Sequence, residues 1–312
     1  MSEPTLHHVQ CPDSMGGHRM AWWQWGDDTA AHVVVCAHGL SRQGRDFDVL
    51  AQALLRRSAE LGRPLRVICP DVVGRGESDW LKDPMGYQFT TYVGDMLSML
   101  AQLHQESAIS TLDWLGTSMG GIIGMSLAGM PGLPLPIPIH RLVLNDVGPT
   151  IEWTALERIG EYLGKSGTFA TIEQGAAAMR AISMEFGPHT DAQWLALSRP
   201  MLRALPDGSY RLHYDPAIAV PYRHMTREAS VQGEATLWQI YDQITADTLV
   251  LRGADSDLLS RGTLQSMKER GPRPQAIEFA GVGHAPTLVA TEQVQAVLDF
   301  LLPGANIDLE AP

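Results

Sequence analysis

Short apolar runs separated by longer amphipathic stretches set the pattern of the first half of the chain. HRMAWWQWG (18–26), AHVVVCAHG (31–39), PLRVICPD (64–71), STLDWLG (110–116) and HRLVLND (140–146) predict strands. Four of them hold continuous apolar stretches instead of strict alternation. That is the pattern of strands covered on both faces, and it predicts a central, mostly parallel sheet. Between them, DFDVLAQALLRRSAEL (46–61), TTYVGDMLSMLAQLHQ (90–105) and GGIIGMSLAGM (120–130) space their apolar residues as helices do. Alternating strand and helix predicts right-handed crossovers and a doubly wound α/β fold.

The alternation stops after LVLNDVGP. For about ninety residues the period-2 signal of a strand is missing. IEWTALERIGEYLGK (151–165), TIEQGAAAMRAISMEF (171–186) and DAQWLALSRPMLRAL (191–205) instead predict helices. Strand pattern returns in TADTLVLRGADSDLL (245–259) and RPQAIEFAGVGH (273–284), and TEQVQAVLDFLL (291–302) predicts a closing helix. The reading is one α/β core, residues 1–148 and 233–312, interrupted by a helical cap insertion over 149–232. The Pro-rich MPGLPLPIPIH (130–140) reads as a stiff loop leading into a strand.

Chemistry concentrates at Gly116-Thr117-Ser118-Met119-Gly120, a G-x-S-x-G that follows an apolar strand and precedes a helix. In a nucleophile elbow the serine sits on a strained strand-to-helix turn, and small neighbours are required because side chains there collide with strand and helix. The helix start also leaves unpaired N–H groups, so the amide of Met119 is a candidate oxyanion donor. A serine hydroxyl needs a base. Of 11 histidines, His284 in FAGVGHAPTL follows the last strand, where the order serine, acid, histidine places it. His38, in HGLSRQGRDFD (38–48), suits loop geometry, with the Leu40 amide as second oxyanion donor and Gly39 allowing close approach. Arg42 and Arg45 are read as pinning that loop by charge-assisted hydrogen bonds.

GTSMGG, HGLSRQGRDFD, CPDVVGRGESDW (69–80), LVLNDVGP and GVGHAP together resemble the α/β-hydrolase superfamily, in particular its bacterial esterase-like members with a helical cap. The resemblance spans about residues 20 to 302 and implies the α/β-hydrolase fold, with the cap inserted after the sixth strand in the family's count. It also implies that PDVVGRGES is a structural turn in which Asp71 and Ser78 hold backbone. Such families usually carry the triad acid three residues beyond the glycine ending the seventh strand. Here that glycine is Gly253 and the position is Ser256. Asp257 serves if the loop shifts by one residue, although Asp-Ser-Asp is also an N-cap pattern. Asp146, at the carboxyl end of LVLND, is the preferred acid. Some members carry it there and use a serine as a further partner of the histidine, which matches Ser256.

The expected activity is hydrolysis of carboxylic esters through an acyl-enzyme on Ser118. The expected partner is a small-molecule ester, and the sequence sets no oligomeric state. Trp153, Met179, Met184, Phe186 and Trp194 are candidate pocket-lining residues that serve equally as the insertion's own core. Alternatives are carbon–carbon bond hydrolysis of ring-cleavage products, or ligand binding without catalysis. Dehalogenase and epoxide hydrolase chemistry is disfavoured because those relatives resemble the fold but carry aspartate where Ser118 stands.

Composition narrows the picture further. A formal net charge of −12 argues against nucleic acid. No apolar run approaches the ~18 residues of a membrane span. MSEPTLHHVQCPDS lacks an export signal, so a cytoplasmic location is expected. Cys11, Cys36 and Cys69 are three, which does not suit a disulfide framework. No H-E-x-x-H, C-x-x-C or early G-x-G-x-x-G occurs, so neither metal nor cofactor is expected.

Overall fold

In the computed structural model, which describes residues 3–165 and 167–304, the chain opens with an antiparallel hairpin. Its strands are β1 (Thr5–Cys11) and β2 (His18–Gly26). Then β3 (His32–Ala37), helix α1 (Asp48–Glu60), β4 (Leu65–Asp71), α2 (Phe89–Glu106), β5 (Thr111–Thr117), α3 (Met119–Gly129) and β6 (Ile139–Asn145) alternate as predicted. After β6 come α4 (Trp153–Tyr162), β7 (Thr168–Phe169), α5 (Ile172–Ile182), α6 (Asp191–Ser198), β8 (Leu202–Ala204), β9 (Tyr210–Leu212), α7 (Ala219–Arg223) and α8 (Arg227–Tyr241). The chain closes with β10 (Asp247–Gly253), α9 (Arg261–Glu269), β11 (Gln275–Phe279) and α10 (Thr291–Leu301).

Eight strands form one sheet in the order β1-β2-β4-β3-β5-β6-β10-β11. The six from β4 to β11 are parallel, and β2 joins β4 antiparallel. Unbroken apolar runs follow from two-sided burial. In β3, Val33, Val35 and Ala37 enter the core under α2 and α3, while Val34 and Cys36 enter the core under α1 and α10. Both cores depend on the same strand, so shifting its register by one residue would exchange the two faces.

Four differences from the expected elements stand out. β1 was not predicted: its LHHVQC alternates weakly and is stabilised by pairing with β2 over its whole length. The stretch expected to be purely helical contains a three-stranded antiparallel sheet, β7-β9-β8, whose strands of two or three residues are too short to show a period. The helix expected over 191–205 stops at Ser198, two residues before Pro200, and the chain turns into β8. Finally, position 232, the expected end of the insertion, falls inside α8, which packs against α3.

Candidate active site

Ser118 is the single residue between β5 and α3. Its φ of 52° and ψ of −115° lie where non-glycine residues rarely go, and the surrounding packing holds it there. Its N–H donates to Asn145 O at 3.0 Å, fixing the turn against β6. The motif's glycines are a steric condition. A Cβ on Gly116 would overlap the backbone of Gly120, and one on Gly120 would overlap the Ala37 carbonyl on β3. The helix therefore starts in direct contact with two strands, and Ser118 projects beyond the carboxyl edge of the sheet.

The next strands deliver the rest to the same edge. Asp146 directly follows β6, has φ 56° and is fully buried. Its N–H donates to Leu251 O at 2.7 Å, and its Oδ1 accepts from Gly253 N–H at 2.9 Å. Oδ2 accepts the Ser256 hydroxyl at 2.6 Å and lies 2.7 Å from His284 Nδ1. His284 Nε2 is 3.0 Å from Ser118 Oγ. With the carboxylate holding a proton on Nδ1, Nε2 is the acceptor for the serine proton, which is the alignment of nucleophile, base and orienting acid. Asn145, which the sequence reading passed over, holds the histidine loop. Its Nδ2 donates to Thr117 Oγ1 at 2.9 Å and to Pro286 O at 2.8 Å.

Asp257, the alternative acid, stands elsewhere. Its oxygens accept from Arg158 Nε and Nη2 at 2.7 and 2.9 Å, and Arg158 Nη1 also meets Glu185 at 2.6 Å. The loop turns Ser256 inward because its hydroxyl oxygen accepts the N–H groups of Leu258 and Leu259, both at 3.2 Å. That turn leaves Asp257 facing the cation on α4. Glu185 is raised above the usual carboxylate range by burial, against the pull of Arg158.

The amides expected to serve an oxyanion lie at the start of α3 and in the loop after β3. Among the first amides of α3, Gly120 N–H donates to His38 O, while Gly121 and Ile122 N–H donate to Ser118 O. The Met119 amide precedes the first helical hydrogen bond and stands next to Ser118. The loop carrying Leu40 passes close by: a Cβ built on Gly39 would lie 3.8 Å from Ser118 Cβ. His38 shapes this loop. Its Nε2 accepts Val72 N–H at 2.9 Å, so Nδ1 carries the proton, donated to Gly39 O at 2.7 Å. Burial pushes His38 down to about 3, so it stays neutral.

Arg75 is a second residue the sequence reading passed over. Its guanidinium is fully buried, and no carboxylate of the described residues forms an ion pair with it. Nε donates to Leu40 O at 2.8 Å, Nη1 to Val73 O at 2.6 Å and to Tyr92 Oη at 3.1 Å, and Nη2 to Met119 Sδ at 3.5 Å. It thus grips both residues expected to supply oxyanion donors. Asp71 and Ser78 do hold backbone, as the resemblance implied. Asp71 accepts the N–H groups of Gly44 and Glu77 at 2.7 and 2.9 Å, and Ser78 Oγ accepts Ala21 N–H at 2.7 Å.

The segment after β6 closes over this edge. Gly76 N–H donates to His213 O at 3.0 Å and Asp215 N–H to Gly74 O at 2.8 Å, so residues 213–215 sit on the Arg75 turn. From the Leu40 loop, Arg42 Nη2 donates to Leu197 O at 3.2 Å and Gln43 Nε2 to Pro200 O. Arg42 and Arg45 also form bidentate pairs with Asp46 and Asp48, which pins the loop. Of the candidate lining residues, Phe186 and Trp194 stack at 6.2 Å and Trp153 is half-buried. Met179 instead packs with Met201 and Leu202 in the small core of this segment, and Met184 is 70% exposed.

A model of the alpha/beta hydrolase family matches residues 34–299. A curated 3-hydroxybutyrate-oligomer hydrolase of Cupriavidus necator is 47% identical over 302 residues, 96% of this chain and 98% of the relative. The crystal structure of an alpha/beta hydrolase from Novosphingobium aromaticivorans is 33% identical, with a TM-score of 0.81, covering 97% of this chain and 100% of that one. A putative hydrolase from Rickettsia typhi is 28% identical, also at a TM-score of 0.81, covering 96% and 99%. No helix of the described residues is long and apolar enough to cross a membrane.

Proposed function

Since the chain belongs to the α/β-hydrolase family, we propose that it is a serine hydrolase of carboxylic esters and that its substrates are oligoesters of short 3-hydroxy acids. The observation that carries the reaction type is the continuous line from Ser118 Oγ through His284 to Asp146 Oδ2, at 3.0 and 2.7 Å. Support for the substrate class is the likeness to the 3-hydroxybutyrate-oligomer hydrolase, which runs over nearly the full length of both chains.

In the proposed reaction Ser118 Oγ attacks the ester carbonyl carbon as its proton passes to His284 Nε2. The carbonyl oxygen becomes an oxyanion and takes hydrogen bonds from the amides of Leu40 and Met119. Asp146 keeps the imidazole in the required tautomer and stabilises the imidazolium. Collapse breaks the ester bond, and His284 gives its proton to the leaving alkoxide. Water, deprotonated by the same histidine, then attacks the acyl-enzyme and releases the acid. The buried Asp146 carboxylate accepts two hydrogen bonds besides the one from the histidine, from Gly253 N–H and Ser256 Oγ, and these fix its orientation.

The test is hydrolysis of the linear dimer and trimer of 3-hydroxybutyrate, beside p-nitrophenyl esters and a vinylogous diketone. Ester cleavage that Ser118→Ala lowers by about 10⁶-fold, with stoichiometric labelling of Ser118 by a fluorophosphonate, is the expected result. Cleavage of the diketone alone would make carbon–carbon hydrolysis the better reading. A folded chain that neither cleaves nor labels would favour ligand binding.

A further inference from the structure

Cys11 and His18 are register partners at the turn end of the β1–β2 hairpin, and α2, which packs on β1, brings Asp95 against them. All three are buried, and their donor atoms lie within 4.8 Å of one another. His18 Nε2 is 3.0 Å from Asp95 Oδ2, and its Nδ1 is 2.9 Å from Asp13 Oδ2. We propose that Cys11 Sγ, His18 Nε2 and an Asp95 carboxylate oxygen bind one zinc ion, a site separate from the serine machinery.

Thiolate, imidazole and carboxylate are the three protein donors that zinc takes. The ligands sit on a paired hairpin and a long helix, so their spacing is set by rigid elements. Asp13 supplies the outer partner expected of a zinc-bound histidine, a carboxylate on the far ring nitrogen that fixes tautomer and orientation. Zinc binds a cysteine as its thiolate, so the ion takes the place of the Cys11 thiol proton, and binding releases that proton to solvent. A groove of about 220 Å³ lined by Asp13, Ser14, Leu81, Lys82, Asp83 and Asp95 borders the cluster at Asp13 and Asp95. β1 is four strand spacings from β5, about 19 Å at the usual ~4.8 Å per strand. The site therefore staples the hairpin to α2 and takes no part in ester chemistry. Sequence spacing hid it because Asp95 stands 77 residues from His18.

The experiment uses the full chain freed of metal by a chelator and titrated with ZnCl₂, with CoCl₂ as spectroscopic probe. Expected are one zinc per chain, a raised Tm, unchanged kcat, and a thiolate-to-cobalt charge-transfer band. Cys11→Ala should abolish that band and weaken zinc at least tenfold, and Asp13→Asn should weaken it by about 10- to 100-fold. Far-ultraviolet circular dichroism and fluorophosphonate labelling check that each variant is folded; Cys11→Ala is the mildest, since it trades one small buried side chain for another. No stoichiometric binding, or binding whose affinity and cobalt spectrum survive Cys11→Ala, overturns the proposal.

Discussion

Ser256 Oγ donates to Asp146 Oδ2 at 2.6 Å, the same oxygen that lies 2.7 Å from His284 Nδ1. The serine at the position where the resemblance placed an acid thus donates to the carboxylate of the proposed acid. Asp146→Asn should lower kcat by about 10⁴-fold, because the amide favours the wrong histidine tautomer. Asp257→Asn should stay within a few-fold of the parent, since Asp257 pairs with Arg158. Steady-state rates on one ester, with folding checked by circular dichroism, decide this; a large loss in Asp257→Asn alone would reverse the assignment.

Ser256→Ala removes one hydrogen bond to a buried charge, typically about 1.5–3 kcal/mol. The expected consequence is a fall in kcat/KM of roughly one to two orders of magnitude, with Ser118 still labelled by a fluorophosphonate at a slower rate. Unchanged kinetics would mean that Gly253 N–H alone suffices to hold the carboxylate.

Arg75 acts through Leu40 and Met119 and is expected to be a positioning residue. Arg75→Lys keeps a cation but cannot reach Leu40 O, Val73 O and Met119 Sδ together. Misplacing the Leu40 amide should cost on the order of 10²-fold in kcat while KM moves little. A variant that loses stability but keeps kcat would reduce Arg75 to a structural role.

Burial holds the Asp71 carboxyl up at about 7 in the folded chain, against its backbone and Trp23 hydrogen bonds, while the unfolded chain titrates it near ~3.9. The folded state therefore binds this proton more tightly. Stability should fall as pH rises from about 4 to about 7, by up to ~1.4 kcal/mol per pH unit, and level off above. Denaturant unfolding of the parent and Asp71→Asn across that window measures it. The asparagine stays neutral, so its curve should lack this contribution, and parallel curves would count against it.

The sequence by itself determined the sheet and pointed to Ser118 and His284 as candidate nucleophile and base, because each reading rests on local physics. Strand and helix period is read within a dozen residues, and the Gly116 and Gly120 requirement arises where a strand meets its own following helix. His284 was legible as the candidate because the fold's chain order places a base after the last strand. Only the tertiary structure places Asp146 rather than Asp257 against His284, since neighbouring loops choose the histidine's partner: Arg158, about a hundred residues away, takes Asp257, while Ser256 and Gly253 turn toward Asp146. Arg75 in its GRGES turn, the short β7-β9-β8 sheet and the meeting of Cys11 with Asp95 were hidden for the same reason. Their signals are contacts between distant segments, and no period or spacing along the chain encodes which loops will share an edge.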